Sequence, residues 1–377
     1  MKQFIYADNA ATTKLDIDAF DAMVPFFTEE YANSSQIYSF ARKPRQALKK
    51  ARAEIAACIN AEPEEIYFTS GGTESNNWAV KGIMPYDGKC GIITSQIEHH
   101  SVLNACKYLE NRGTVVNYLP VTAEGIVTPE ALSTVIASDT RLVSIQLSNN
   151  EIGTVEPIGE LCEITHKSGA LFHTDAVGAV GHIRVDVKKL GVDMLSASAH
   201  KFNGPKGIGF LYIKKGTPVE AFMCGGAQEY GLRGGTENIP LIIGMSVALK
   251  KNVDSLSKNT EHLKRLEKIL LNKLQALKTD FIRNGKMQIP GLISLSFCGA
   301  DGEMLLHRLD LSGIAVSTGA ACDSHDVKVS HVLRAIGLDK NFAKGTVRIS
   351  FGVNNSPENA KITAEKLISI LCGCQNM

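Results

Sequence analysis

Seven short apolar runs, rich in branched residues, recur through the first two thirds of this chain with helical patterns between them. They are Ile66–Thr69, Gly91–Ser95, Val115–Leu119, Leu142–Leu147, Leu171–Thr174, Met194–Ala197 and Gly209–Ile213. Helices are expected to begin near Pro44, Glu74, Ser101, Pro129 and Ile158. Continuous apolar strands separated by helices predict an α/β architecture, a mostly parallel sheet covered on both faces. Ligands in such sheets sit at the carboxyl ends of the strands, so residues that follow each run carry the functional information.

Beyond Pro240 the texture changes. Leu241–Lys278 reads as one long helix or two. It is followed by a strand at Gly291–Phe297, helices near Gly302–Leu311 and Val329–Ile336, a strand at Thr346–Phe351 and a final helix from Pro357 to about Cys372. The expected division is a large domain over 15–240 and a smaller α+β domain formed by 1–14 and 241–377. With 377 residues, 44% of them hydrophobic, the chain can bury a core of that size. A formal net charge of +1 without a basic block argues against a direct nucleic-acid or membrane-surface role. The absence of a long apolar run or an N-terminal signal segment makes a soluble, cytoplasmic protein the expectation. The nine cysteines are then reduced thiols. Cys58, Cys106, Cys162 and Cys298 are expected in the core, while Cys372 and Cys374 fall at the end of the chain.

The most informative segment is Ser198-Ala199-His200-Lys201, directly after the run ending at Ala197. An amine held there, with its pKa lowered by local charge or desolvation, can form a Schiff base with an aldehyde cofactor. One strand upstream, Phe172-His173-Thr174-Asp175 ends on a carboxylate. Either residue alone reads better as a surface lysine or a turn aspartate. Together they are the pair that pyridoxal 5'-phosphate requires, one for its aldehyde and one for its ring nitrogen.

Other strand ends fit that reading. Thr69-Ser70-Gly71-Gly72-Thr73-Glu74 joins a strand to a helix start, where backbone N–H groups cradle anions such as a phosphate. A capped tight turn has a similar composition. His99, after the run ending at Ser95, suits either stacking and proton relay or a helix cap. Asn150 in Ser148-Asn149-Asn150-Glu151-Ile152-Gly153 suits a hydrogen bond to the cofactor's phenolic oxygen or a turn. A glycine-dense loop, 225–238, carries Arg233 and Thr236 and can reach a phosphate, including one in a partner subunit. Cys322, in Ser317-Thr318-Gly319-Ala320-Ala321-Cys322-Asp323-Ser324-His325, sits among small polar residues that suit an exposed nucleophile. Arg348, on an expected strand, needs an anionic partner, and a substrate α-carboxylate would serve.

Taken together, these segments resemble the cysteine desulfurases, the NifS/IscS-like group of class V aminotransferase-like enzymes of PLP-dependent transferase fold type I. The resemblance runs from Tyr6-Ala7-Asp8-Asn9-Ala10-Ala11-Thr12-Thr13 through T-S-G-G-T-E-S-N-N, E-H-H, N-N-E-I-G, S-A-H-K and Q-E-x-G-x-R-x-G-T-E-N to the cysteine loop. It implies Lys201 as the Schiff-base lysine, Asp175 at the pyridinium nitrogen and His99 stacked on the ring. Gly72, Thr73, Ser198 and His200 would surround the phosphate, with Thr236 supplied by the other subunit of a homodimer. Asn150 would contact the cofactor oxygen, Asn33 and Arg348 the carboxylate of L-cysteine, and Cys322 would accept the sulfur. The implied partner is a sulfur-acceptor protein, an iron–sulfur scaffold or a tRNA-thiolation protein. Two other readings stay open: a pyridoxal phosphate enzyme acting on another amino acid such as selenocysteine, and a catalytically weakened scaffold paralogue.

The chain departs from the family pattern in several places, among them Asn33-Ser34-Ser35-Gln36-Ile37-Tyr38 where N-P-S-S-x-H is usual. Gly178 stands where glutamine is usual, which removes one hydrogen bond to the cofactor oxygen. Tyr38 replaces histidine, Ala41 glycine and Ser294 asparagine. Asp323 follows Cys322 in place of serine or threonine, and its carboxylate disfavours the thiolate unless a charged His325 offsets it.

Overall fold

The structure, a computed structural model, describes residues 4–83, 90–275, 280–318 and 329–374. Its strands are β1 (Ile5–Tyr6), β2 (Ile66–Thr69), β3 (Gly91–Ser95), β4 (Val115–Leu119), β5 (Thr140–Ser144), β6 (Leu171–Asp175), β7 (Met194–Ser198), β8 (Gly209–Ile213), β9 (Phe281–Asn284), β10 (Leu292–Phe297), β11 (Ile314–Ala315) and β12 (Thr346–Ser350). Seven of them form one sheet in the order β2-β8-β7-β6-β5-β3-β4. All its neighbours are parallel except for β8, which runs antiparallel to both β2 and β7. Side chains alternate between two apolar layers. Ile93, Val143, Phe172, Leu195 and Phe210 face one cluster, and Ile92, Leu142, Met194 and Leu211 face another. Burial on both faces explains why these strands are apolar without a period of two.

A second core lies around the three-stranded antiparallel sheet β12-β10-β9 and the parallel pair β1–β11. Helices Leu256–Leu274, Gly302–Leu311 and Pro357–Cys374 cover it, and Leu266, Leu270, Leu295, Leu305, Val347 and Leu367 are fully buried there. Of one long helix or two, the structure has two, Ile239–Asp254 and Leu256–Leu274, broken at Ser255. The first buries Ile242, Met245, Ala248 and Leu249 in the large core, and only the second belongs to the small one. The chain therefore changes core at Ser255, beyond the expected boundary at 240.

The N-terminal segment straps the two cores together. Asn9 N–H donates to the Ser350 carbonyl and Ala10 N–H to Ser350 Oγ. A few residues later Thr13 N–H and Thr13 Oγ1 both donate to the His200 carbonyl. Cys298, expected in the core, is exposed, because β10 ends at Phe297 and the chain turns outward. Cys106 and Cys162 are buried, and Cys58 is half-buried.

Candidate active site

The carboxyl ends of β3, β5, β6 and β7 open into a cavity of about 490 Å³. Lys201 follows β7 by one short turn, Ala199–Lys201, closed by Phe202 N–H on the Ala199 carbonyl. Its Nζ donates to the carbonyls of Ala10 (2.5 Å) and Ala11 (3.0 Å), so the strap fixes the reach of the amine. Asp175 ends β6 in the neighbouring strand and is buried. One carboxylate oxygen accepts from Val177 N–H (2.9 Å) and the other from Asn76 Nδ2 (2.6 Å).

A relay links that carboxylate to His99. Asn76 Nδ2 also donates to Ser101 Oγ (2.8 Å), which lies 2.7 Å from His99 Nδ1. The Ser101 backbone N–H donates to the same ring nitrogen (3.1 Å). A nitrogen that accepts from a backbone amide carries no proton, so the neutral ring holds its proton on Nε2. Burial pushes the His99 pKa below the usual histidine value. Asp175 opposes that shift, while Lys201 and His100 reinforce it. Directly behind, Glu98 is fully buried, and burial drives its carboxyl well above the usual range. Ser95 Oγ (2.6 Å) and Gln146 N–H (3.1 Å) donate to one of its oxygens.

The anion cradle is the start of helix Gly72–Lys81. Its cap, Gly71, has φ +147°, a backbone that other residues rarely adopt. A side chain at Gly72 would meet Val177 Cγ2 at 2.6 Å, so helix and strand end pack too closely for one. The Glu74 carboxylate in this first turn accepts from Ser70 N–H and pairs with Arg233 at 2.9 Å, so it is not left as a bare negative charge beside the cradle. Gly72, Thr73, Ser198 and His200 line the cavity together. Burial and the charges of Lys201 and Lys206 hold His200 down at about 4, a neutral ring in contact with Thr12 Oγ1 (3.2 Å).

Arg348 enters from β12. The anion it needs is present in the chain: Asp8 Oδ1 accepts from one Nη at 2.8 Å, and the Asn150 carbonyl accepts from the other at 2.9 Å. Asn150 itself lines the cavity. Two expected residues lie elsewhere. Asn33 Oδ1 accepts from Ser35 N–H (2.9 Å) and is not on the cavity wall. Thr236 is exposed and lines a separate cavity of about 200 Å³ with Phe68, Ser70 and Arg233. Cys322 lies outside the described residues, as do Asp323 and His325. Asn76, Ser101 and Asp8 were not singled out from the sequence. Asn76 and Asp8 stand within motifs quoted above, in T-S-G-G-T-E-S-N-N and Y-A-D-N, but only the fold shows what they touch.

The fold and the cavity define a class of protein. A lysine and an aspartate at adjacent ends of a mostly parallel sheet face a glycine-based anion cradle, and a second core closes over them. Comparison with known proteins agrees. The model of the family described as aminotransferase class-V matches residues 5–362. The cysteine desulfurase IscS of Dictyoglomus turgidum is 45% identical over 376 residues, covering 98% of this chain and 95% of that protein. A solved NifS-like protein superposes with a TM-score of 0.93 at 38% identity, covering 98% and 100%. SspA, solved in complex with cysteine, gives 0.83 at 36% identity over 92% and 99%. This chain belongs to the aminotransferase class-V family, among the homologues of the cysteine desulfurases. That family implies pyridoxal phosphate. The residues present fit the group: an amine, a buried carboxylate, a histidine and a glycine-based helix start share one cavity.

Proposed function

We propose that the protein is a pyridoxal phosphate-dependent cysteine desulfurase that converts L-cysteine to L-alanine and leaves the sulfur on Cys322. The observation that carries this is the placement of Lys201 and Asp175 in one cavity, on a chain so similar to a cysteine desulfurase IscS. When bound, pyridoxal phosphate supplies an aldehyde for the amine and a ring that accepts electrons from the substrate's Cα. Asp175, held by Asn76 and Val177, keeps the ring nitrogen protonated. The Lys201 amine moves a proton at the substrate Cα. His99 covers the ring with its neutral imidazole. Gly72, Thr73, Ser198 and His200 hold the phosphate, and Thr236 joins them from the partner subunit of a homodimer. Asn150 contacts the ring oxygen.

Arg348 binds the substrate carboxylate, and Asp8 keeps its guanidinium aligned. The Cys322 thiolate bonds to the substrate sulfur as the Cβ–S bond breaks. The electron pair of that bond stays with carbon, which takes up a proton on the way to alanine. Cysteine plus the thiol gives alanine plus the persulfide, and no external oxidant is consumed. The persulfide then passes to a sulfur-acceptor protein, an iron–sulfur scaffold or a tRNA-thiolation protein, in the cytoplasm. Alanine formation from L-cysteine by the pyridoxal phosphate-loaded protein, beside Lys201→Ala, tests the reading. We expect a loss of at least a thousandfold in the variant, the scale of removing a group that acts at the reacting atoms. A variant as active as the parent would refute it.

A further inference from the structure

We propose that Ser148 contacts the cofactor and supplies the hydrogen bond that the glycine at 178 cannot. The inference rests on the assignment of the large cavity to pyridoxal phosphate. In the family pattern, residue 178 carries a glutamine directed to the cofactor's ring oxygen. Here it is glycine, and the backbone does not require it: Gly178 is not among the residues with positive φ. The reason for glycine is space. A Cβ built on Gly178 would stand 2.9 Å from Ser148 Oγ and 3.6 Å from the Ser148 carbonyl. The serine hydroxyl therefore occupies the place where a side chain at 178 would begin.

That hydroxyl is itself unusual. Ser148 is 5% exposed, and its Oγ has no hydrogen-bond partner among the described residues. Buried hydroxyls are seldom left unpaired in folded proteins. Ser148 and Gly178 both line the cavity that holds Lys201, Asp175 and Asn150. A donor with no partner in the protein, exchanged in position for a side chain that would have made a cofactor contact, is matched by an acceptor on the cofactor. Ser148 and Gly178 thus act as one paired replacement: the hydroxyl donates to the ring oxygen, and the glycine leaves it room.

The test uses the full-length apoprotein titrated with pyridoxal phosphate. It reads the dissociation constant, the pH midpoint of the bound cofactor's absorbance, and the melting temperature of each apoprotein. Ser148→Ala is expected to weaken binding roughly tenfold, the scale of one hydrogen bond to a charged oxygen. The absorbance midpoint moves upward, because a donor that stabilised the ring oxygen's negative charge is gone. Gly178→Ala displaces the hydroxyl and moves both readouts the same way in the parent, but adds nothing to Ser148→Ala, since both act on one contact. The exchange Ser148→Ala with Gly178→Gln recovers most of the affinity. Where Ser148→Ala fails to fold, Ser148→Cys, a poor donor of similar size, serves with the same expectation. A Ser148→Ala protein within twofold of the parent in affinity, with an unchanged midpoint, overturns the assignment. A parent protein that takes up no pyridoxal phosphate overturns the reading of the cavity itself.

Discussion

At the scale of single residues, hydrogen bonds decide how well a buried carboxylate is supported. Asp175 is buried but accepts two hydrogen bonds, from Asn76 and Val177, and so has the contacts a carboxylate needs. Asn76→Ala removes one of them and the link to Ser101. We expect a roughly ten- to hundredfold loss of cysteine turnover, the scale of a hydrogen bond to a charged group, and a lower apoprotein melting temperature, because Asp175 and Ser101 lose a buried donor. Glu156 lacks such support. Only Val127 N–H donates to it among the described residues, and burial pushes its carboxyl up to about 8. Between its ordinary value of 4.5 and about 8, the folded protein holds a proton that the unfolded chain has lost. The stability this group contributes is complete below that window and declines as pH rises through it. Glu156→Gln should therefore be close to the parent at pH 4.5 and more stable by about 1–3 kcal/mol at pH 8.5. Denaturant unfolding at both pH values checks this, and a variant less stable than the parent at pH 8.5 contradicts it.

At the scale of elements, strand ends and loops are pinned by side chains distant in sequence. The loop at Gln228–Gly231 holds Glu229 and Tyr230 at positive φ. That backbone is held by a buried pair, Arg52 Nη2 to Glu229 Oε1 at 2.7 Å, with Glu229 also accepting from Phe68 N–H. Arg52→Ala leaves Glu229 buried without its counter-charge and should cost about 3–5 kcal/mol. Thermal unfolding measures it, and a shift of under 2 °C would contradict the role given to the pair. Most strands of the large sheet were legible because burial on both faces made each a continuous apolar run, while the edge strand β4, largely open to solvent, was legible from its branched residues alone. β9 was not, since Phe281–Asn284 is a half-exposed edge strand of only four residues. The strand expected at Leu142–Leu147 is β5, Thr140–Ser144, and beyond it Ile145 and Leu147 N–H still donate to the His173 and Asp175 carbonyls of β6. Lys201, Asp175 and the Gly71–Gly72 turn could be read from strand ends and turn chemistry. The Asn76–Ser101–His99 relay and the Asp8–Arg348 pair could not, since each joins residues that only the tertiary fold makes neighbours.

At the scale of the whole molecule, two cores meet across a strap that carries part of the site. Residues 8–13 contact Arg348, Ser350, Lys201 and His200 in turn. Shortly after that strap in the sequence Ile17, Phe20, Val24, Phe27, Tyr31 and Ile37 are exposed, apolar side chains that the proposed homodimer would cover. If Thr236 completes the partner's site, Lys201→Ala and Thr236→Ala protomers should complement each other. Unfolded and refolded together at equal amounts, they should regain about a quarter of parental activity, since half the dimers are mixed and each holds one intact site. No recovery would place Thr236 in its own protomer's site, and a Thr236→Ala protein as active as the parent would place it outside both.

The central claim is that the sulfur of L-cysteine leaves on Cys322. Alanine and sulfide release by the pyridoxal phosphate-loaded protein, compared with Cys322→Ala, tests it most directly. The account predicts that the variant binds the cofactor with an unchanged absorbance spectrum yet releases neither product above background. A variant that forms alanine and sulfide at the parent's rate would show that another group takes the sulfur.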